Sequence, residues 1–337
     1  MRRITFAVIA VALLAWTGIA QSERTIVDQA GYEVSLPDSI ESIASVYGIG
    51  TYFVYSLGAG DRLTTAYYIG LKSAAQATAT MQRWEPRLSD LLSFGDPNVE
   101  ELVAGGADVV LADASQHEAV AAQLRELGIP VVLLSAEHPD AMKEAIQLLA
   151  TALGEEAQRR ADAFVDAYDR VISCVAADVS PIADTAPVRV LFLGTSASTA
   201  IGGEMYQTNL IEAAGGVSVT EGLSGGWNEV NLEQILRWDP DVILIAPYGP
   251  VQPSDLLEHA DWQSLQAVQA GRVVRMPRLI APMDTPVPES MLGVLWMATL
   301  FYPEVVTLDL ADEVVAFYAT YYGVTLTDEE IAAFAFQ

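Results

Sequence analysis

Cysteine is nearly absent, with Cys174 standing alone in the chain. No internal disulfide can form, and thiolate metal clusters, which need several sulfurs, are excluded. Histidine is scarce too: His117, His138 and His259 fall in unrelated polar contexts, which argues against an ion site of two histidines and two carboxylates and leaves no metal ligands to name. Only Lys72 and Lys143 are lysines, and 17 lysines and arginines face 44 aspartates and glutamates, for a net charge of −27. A nucleic-acid backbone would be repelled, so no nucleic-acid partner is expected. Gly202-Gly203 and Gly225-Gly226 lack the spacing of a dinucleotide or phosphate loop and read as turns. No serine, histidine and acid suggest a nucleophile, so neither catalytic residues nor a cofactor are expected.

What is present begins with Arg2, Arg3, an apolar stretch from Ile4 to Trp16, and the small residues Gly18 and Ala20. That order reads as a signal peptide over 1–20, cleaved so that the exported chain begins near Gln21. The apolar stretch is short for the ~20 residues of a membrane span. No cysteine stands directly after it, so no lipid anchor is expected and the exported protein should be freely soluble.

A repeat gives the architecture. Asn98-Val99-Glu100-Glu101-Leu102-Val103 leads into Asp108-Val109-Val110-Leu111-Ala112, and Asn231-Leu232-Glu233-Gln234-Ile235-Leu236 leads at the same spacing into Asp241-Val242-Ile243-Leu244-Ile245. Each copy sits in the same sequence of elements. An apolar strand opens it (Ile43–Val46, Val188–Leu193), and a helix and a glycine-led strand close it (Gly128 to Leu134, Gly271 to Met276). Continuous apolar strands alternating with helices indicate parallel sheets covered on both faces. The expected fold is α/β, with two doubly wound Rossmann-like lobes at 21–153 and 181–302. Joining them, residues 154–180 read as one long helix with Phe164, Tyr168, Val171 and Val175 on one stripe; a helical tail fills 303–337. Such a joint is stiffer than a glycine-rich linker, so lobe motion should be small.

Ligands of open α/β sheets bind beyond the carboxyl ends of the strands, which puts the site in a cleft between the lobes. The loops there supply Tyr47, Tyr67, Tyr68, Ser115, Ser196, Tyr206, Tyr248, Arg278 and Asp284 as candidate ligand-binding residues. Ser115-Gln116-His117-Glu118 also has the spacing of a helix capping box, with His117 a bystander. Residues 66–92, longer than their counterpart in the second copy, read either as a lid or wall of the cleft or as a solvated amphipathic helix.

Thr25-Ile26-Val27-Asp28-Gln29-Ala30-Gly31-Tyr32, Gly95-Asp96-Pro97-Asn98-Val99-Glu100, the 231–245 block, Trp262-Gln263-Ser264-Leu265 before Gly271-Arg272-Val273, and Pro288-Glu289-Ser290-Met291-Leu292-Gly293 together resemble the periplasmic binding proteins of ABC importers for iron-siderophores, haem and corrinoids. The resemblance implies a monomer that captures a small metal chelate in the periplasm and delivers it to a permease dimer. It also implies that Glu100 and Glu233 dock the two lobes onto that permease. An anionic ferric chelate is the expected ligand, with Arg278 supplying the charge. Molybdate or tungstate, haem and a corrinoid are the alternatives, and a chelatase-like enzyme on the same scaffold is the alternative from another class.

Overall fold

The computed structural model describes residues 23–183 and 185–336; the signal-peptide segment 1–20 lies outside them. A hairpin of β1 (Glu23–Val27) and β2 (Glu33–Pro37) opens the described chain. The first lobe is an all-parallel sheet in the order β5-β4-β3-β6-β7, from Leu92–Ser93, Leu63–Tyr67, Ile43–Ser45, Val109–Asp113 and Val131–Leu134. In the second lobe β8 (Val188–Leu193) pairs in parallel with β10 (Gly216–Ser218) and β12 (Val242–Ile245), and β12 pairs with β13 (Val273–Arg275). Two short strands, β9 (Thr199–Ala200) and β11 (Asn228–Glu229), add an antiparallel extension.

The repeat survives at the level of single hydrogen bonds. Asn98 and Asn231 each cap a seven-residue helix, Val99–Gly105 and Leu232–Trp238, with the side chain accepting first-turn amide hydrogens. Asp108 and Asp241 stand one residue before β6 and β12. Their carboxylates accept from Ser42 N–H at 2.9 Å and from Arg189 N–H at 2.8 Å, so each ties the incoming strand to its central neighbour.

The helix Glu155–Ala183 has 29 residues, about 43 Å at the usual rise. All four expected stripe positions are buried, together with Ala157, Ala161 and Val179. The stripe packs on the helices Pro139–Leu153 and Ser290–Phe301, and the latter is buried nearly all round. A single apolar cluster runs from Ile43 and Val109 of the first sheet through Phe164 and Val171 to Val190 and Val242 of the second. The outer face of each sheet has its own smaller cluster. The lobes therefore share their main core.

The segment 66–92 forms two short helices, Ala79–Trp84 and Leu88–Leu91, rather than one amphipathic helix. Arg83 donates to both oxygens of Glu330, each at 2.9 Å, and Trp84 Nε1 donates to Tyr322 O at 3.0 Å. The segment is a wall sewn to the C-terminal tail. The capping box expected at Ser115 does not form: the helix begins at Glu118 behind His117. Asp113, the last residue of β6, takes the amide hydrogens of Ser115 and Gln116 itself, at 2.7 and 2.9 Å. His117 is no bystander, since its Nδ1 accepts from Asp113 N–H at 3.1 Å. Burial keeps its pKa low, which favours the neutral ring that such acceptance requires.

Candidate ligand-binding site

The chain leaves β12 at Ile245 and β13 at Arg275, and the two exits face the segment that follows β4 in the first lobe. Three contacts close this side of the cleft. Arg278 Nη2 donates to Ile69 O at 2.9 Å, and the Thr78 hydroxyl donates to Leu279 O. At Gly70, held at φ +71°, a Cβ would stand 3.3 Å from that of Tyr248, so the loop takes the left-handed turn that suits glycine. A cavity of about 300 Å³ remains between the lobes, lined by Gln76, Thr78, Pro247, Arg275, Met276 and Arg278.

The two arginines give the cavity its character. Arg275 Nη2 donates to Pro247 O at 2.6 Å and to Gly249 O at 2.8 Å, which pins the loop after β12, while its Nε is buried without a partner. Neither guanidinium forms a salt bridge among the described residues, although most of the ion pairs there use arginine. Burial and then the neighbouring charge of Arg278 lower the pKa of Arg275. In a chain of net charge −27, this is a local concentration of positive charge in a partly dry place, suited to an anion.

Beneath the arginines lie two buried carboxyls. Asp284 is wholly buried, and its Oδ2 accepts from the Tyr248 hydroxyl at 2.9 Å and from Gln207 Nε2 at 3.3 Å. Burial pushes it up to about 6, against the opposing pull of Tyr248, Gln207 and Arg278. Glu289 is also wholly buried, accepting from Ala281 N–H at 3.1 Å and from the Tyr322 hydroxyl at 2.6 Å. Burial lifts it to about 7.

Of the nine candidate residues, the structure gathers Tyr248, Arg278 and Asp284. Tyr47 lies against Gly50 with its hydroxyl buried and unpartnered among the described residues. Tyr67 packs with the outer cluster of the first sheet. The Tyr68 hydroxyl is 2.8 Å from that of Tyr55, whose hydroxyl also meets Glu85 at 2.7 Å, inside the first lobe. Ser115 donates to Asp113, and Ser196 exchanges hydrogen bonds with Ser198 and Thr199. Tyr206 is buried with its hydroxyl 2.9 Å from that of Ser290. Sequence reasoning missed Arg275, Thr78 and Gln207. The spacing of Arg275 and Arg278 in a chain so poor in cations was the available signal for the first; nothing in the sequence marks the other two.

The profile of the periplasmic binding protein family matches residues 43–279. The molybdate-binding protein MolA of Haemophilus influenzae is 25% identical over 311 residues, 85% of this chain and 86% of that protein. The vitamin B12-binding protein of Pectobacterium atrosepticum is 26% identical over 187 residues, 53% of this chain and 66% of its own. Among solved structures, a periplasmic solute binding protein from Veillonella parvula superposes with a TM-score of 0.82 at 27% identity, over 93% of this chain and 97% of the other. MolA with bound molybdate superposes with a TM-score of 0.79 at 24% identity, over 90% of this chain and 99% of the other. With its two lobes, its single long joining helix and a family match that runs from β3 of the first lobe to beyond β13 of the second, this chain belongs to the periplasmic binding protein family.

Proposed function

We propose that the protein is the substrate-binding component of an ABC importer and that its cargo is a compact oxyanion of the molybdate or tungstate kind, held between the lobes by Arg275 and Arg278. The observation that carries this reading is the pair of guanidinium groups, neither of them in a salt bridge among the described residues, at a cavity of about 300 Å³. That volume is at the lower end of ligand pockets, where haem or a corrinoid would need the upper end. Arg278 Nη1 is the guanidinium donor open to an oxyanion, and Gln76 offers a further polar group at the edge of the cavity. The molybdate binding named for the Haemophilus relative supports this ligand over the ferric chelate that the sequence resemblance implies. No chemistry on the cargo is part of the reading. Glu100 and Glu233 stay as the proposed permease contacts: both are exposed, in the first turns of equivalent helices.

Calorimetric titration with molybdate, tungstate, ferric siderophores, haem and cobalamin tests the ligand. Saturable molybdate or tungstate binding, weakened in Arg278→Ala by at least thirtyfold, about 2 kcal/mol for a buried charged contact, is the expected result. Tight binding of a ferric chelate with no response to either oxyanion would overturn it.

A further inference from the structure

Asp284 and Gln207 face each other as an acid and an amide. Gln207 Nε2 donates to Asp284 Oδ2, and the Tyr248 hydroxyl donates to the same oxygen. The other oxygen of each side chain, Asp284 Oδ1 and Gln207 Oε1, is buried and meets no donor among the described residues. Neither side chain has access to bulk water, since Asp284 is 0% and Gln207 4% exposed. With Asp284 ionised, two acceptors lie in dry surroundings with nothing to accept, an arrangement that costs the desolvation of each. Turning the Gln207 amide over does not help, because its oxygen would then face the Oδ2 that it now serves. A proton on Asp284 removes the charge from these dry surroundings and turns one bare acceptor of the carboxyl into a donor.

We infer that Asp284 serves as a neutral carboxylic acid in the ligand-bound protein, and that the oxyanion therefore binds together with a proton. This rests on the oxyanion reading above. The groups that bear on Asp284 are Tyr248 from the loop after β12, Gln207 from the helix Tyr206–Ala213, its own backbone N–H, and Arg278 from its own segment. Arg278 is the only opposite charge among them. An ionised Asp284 neutralises part of its field, whereas a neutral one leaves the charge of Arg278 to the ligand. Asp284 is thus a positioning residue: it holds Tyr248 against Gly70 across the cleft and governs how much of the arginine charge reaches the anion.

The direction of the pH dependence follows. Burial already raises the Asp284 carboxyl to about 6, and a bound anion raises it further by like-charge repulsion. Below about pH 6 the acid is protonated with or without ligand, and affinity is flat. Above that, each anion bound takes up a proton and affinity falls by up to about tenfold per pH unit until the bound-state value is passed.

Calorimetry on the exported chain with sodium molybdate, between about pH 5 and about pH 8 and in buffers of different ionisation enthalpy, measures both the slope and the proton count. Kept dilute, molybdate is a monomeric dianion above about pH 6, so the slope expected there belongs to the protein. The expected result is a flat affinity that weakens above about pH 6, with buffer-dependent heats reporting proton uptake; Glu289, raised to about 7 and also within the field of Arg278, is the other group that can take up a proton in this range. Asp284→Asn removes the part of the slope and uptake that sets in near pH 6, and Glu289→Gln leaves that part in place. If Asp284→Asn does not fold, the pH at which uptake sets in for the wild type and for Glu289→Gln decides. Molybdate binding with a flat profile and no proton uptake, an onset near pH 6 that survives unchanged in Asp284→Asn, or a pH-independent affinity that follows sodium concentration would each overturn the inference while leaving the oxyanion reading intact. Failure of molybdate and tungstate to bind at any pH would remove the oxyanion reading, and this inference with it.

Discussion

Asp284 and Glu289 share one cause for their raised pKa and differ in what it does. Both oxygens of Glu289 are met by donors, so its role is to anchor the segment that follows Arg278, whereas Asp284 keeps one oxygen unmet. A carboxyl whose folded-state pKa lies above its unfolded value gives stability that is full below the unfolded pKa and is lost as pH rises through the folded one. For Asp284 that window runs from 3.8 to about 6, a difference of about 3 kcal/mol at most. The thermal midpoint of Asp284→Asn should therefore gain on wild type between about pH 4 and about pH 7, because an amide fills the same hydrogen bonds without ionising; a constant difference across that range would contradict the assignment. Tyr68 shows why single residues were harder to read from sequence. An aromatic just past a strand end looks the same whether it faces the cleft or turns inward, and here the hydroxyl meets that of Tyr55 inside the first lobe. Tyr68→Phe should cost about 0.5–1.5 kcal/mol by denaturant unfolding, the net value of one hydrogen bond, because the Tyr55 hydroxyl keeps Glu85, with ligand affinity unmoved.

At the scale of elements, the order of strands and helices was legible because repetition and apolar runs carry it. Asn98 with Asn231 and Asp108 with Asp241 are paired by spacing and prove to be paired in role. The segment 66–92 was not legible, because its structure depends on partners far away in the chain. Glu330 is the main one: it completes the capping box of the helix Asp328–Ala332, accepts from Thr80 and pairs with Arg83. Burial alone would raise its carboxyl, but those donors hold it down to about 2. Its contribution is therefore present above its ordinary pKa of 4.5 and is lost as pH falls toward about 2. Glu330→Ala should unfold at lower temperature than wild type at neutral pH, with the gap shrinking as the solution is acidified. Hydrogen exchange should also rise across residues 78–84 in this variant; unchanged exchange there would show that the wall holds without the tail.

At the scale of the molecule, the shared core sets how the protein can signal that it is loaded. One cluster passes through both sheets and the joining helix, so a wide hinge opening would expose apolar surface, at about 25 cal/mol per Å². Small adjustments about the Arg278–Ile69 and Tyr248–Gly70 contacts are the motion this architecture allows, and the docking proposed above would read the outer surface of both lobes at once. Glu100 and Glu233 suit that task because the repeat places them alike, one on each lobe, and both are exposed. A purely local role is the competing account, since an acid in the first turn of a helix gains only about 0.3–1 kcal/mol from the helix dipole. The two accounts part in the double charge reversal Glu100→Arg with Glu233→Arg. Docking predicts that uptake into cells or vesicles carrying the permease is lost while the calorimetric affinity for the ligand stays at the wild-type value and the thermal midpoint drops by no more than a few degrees. If uptake persists with both charges reversed, these glutamates are helix-end residues and the permease reads another surface.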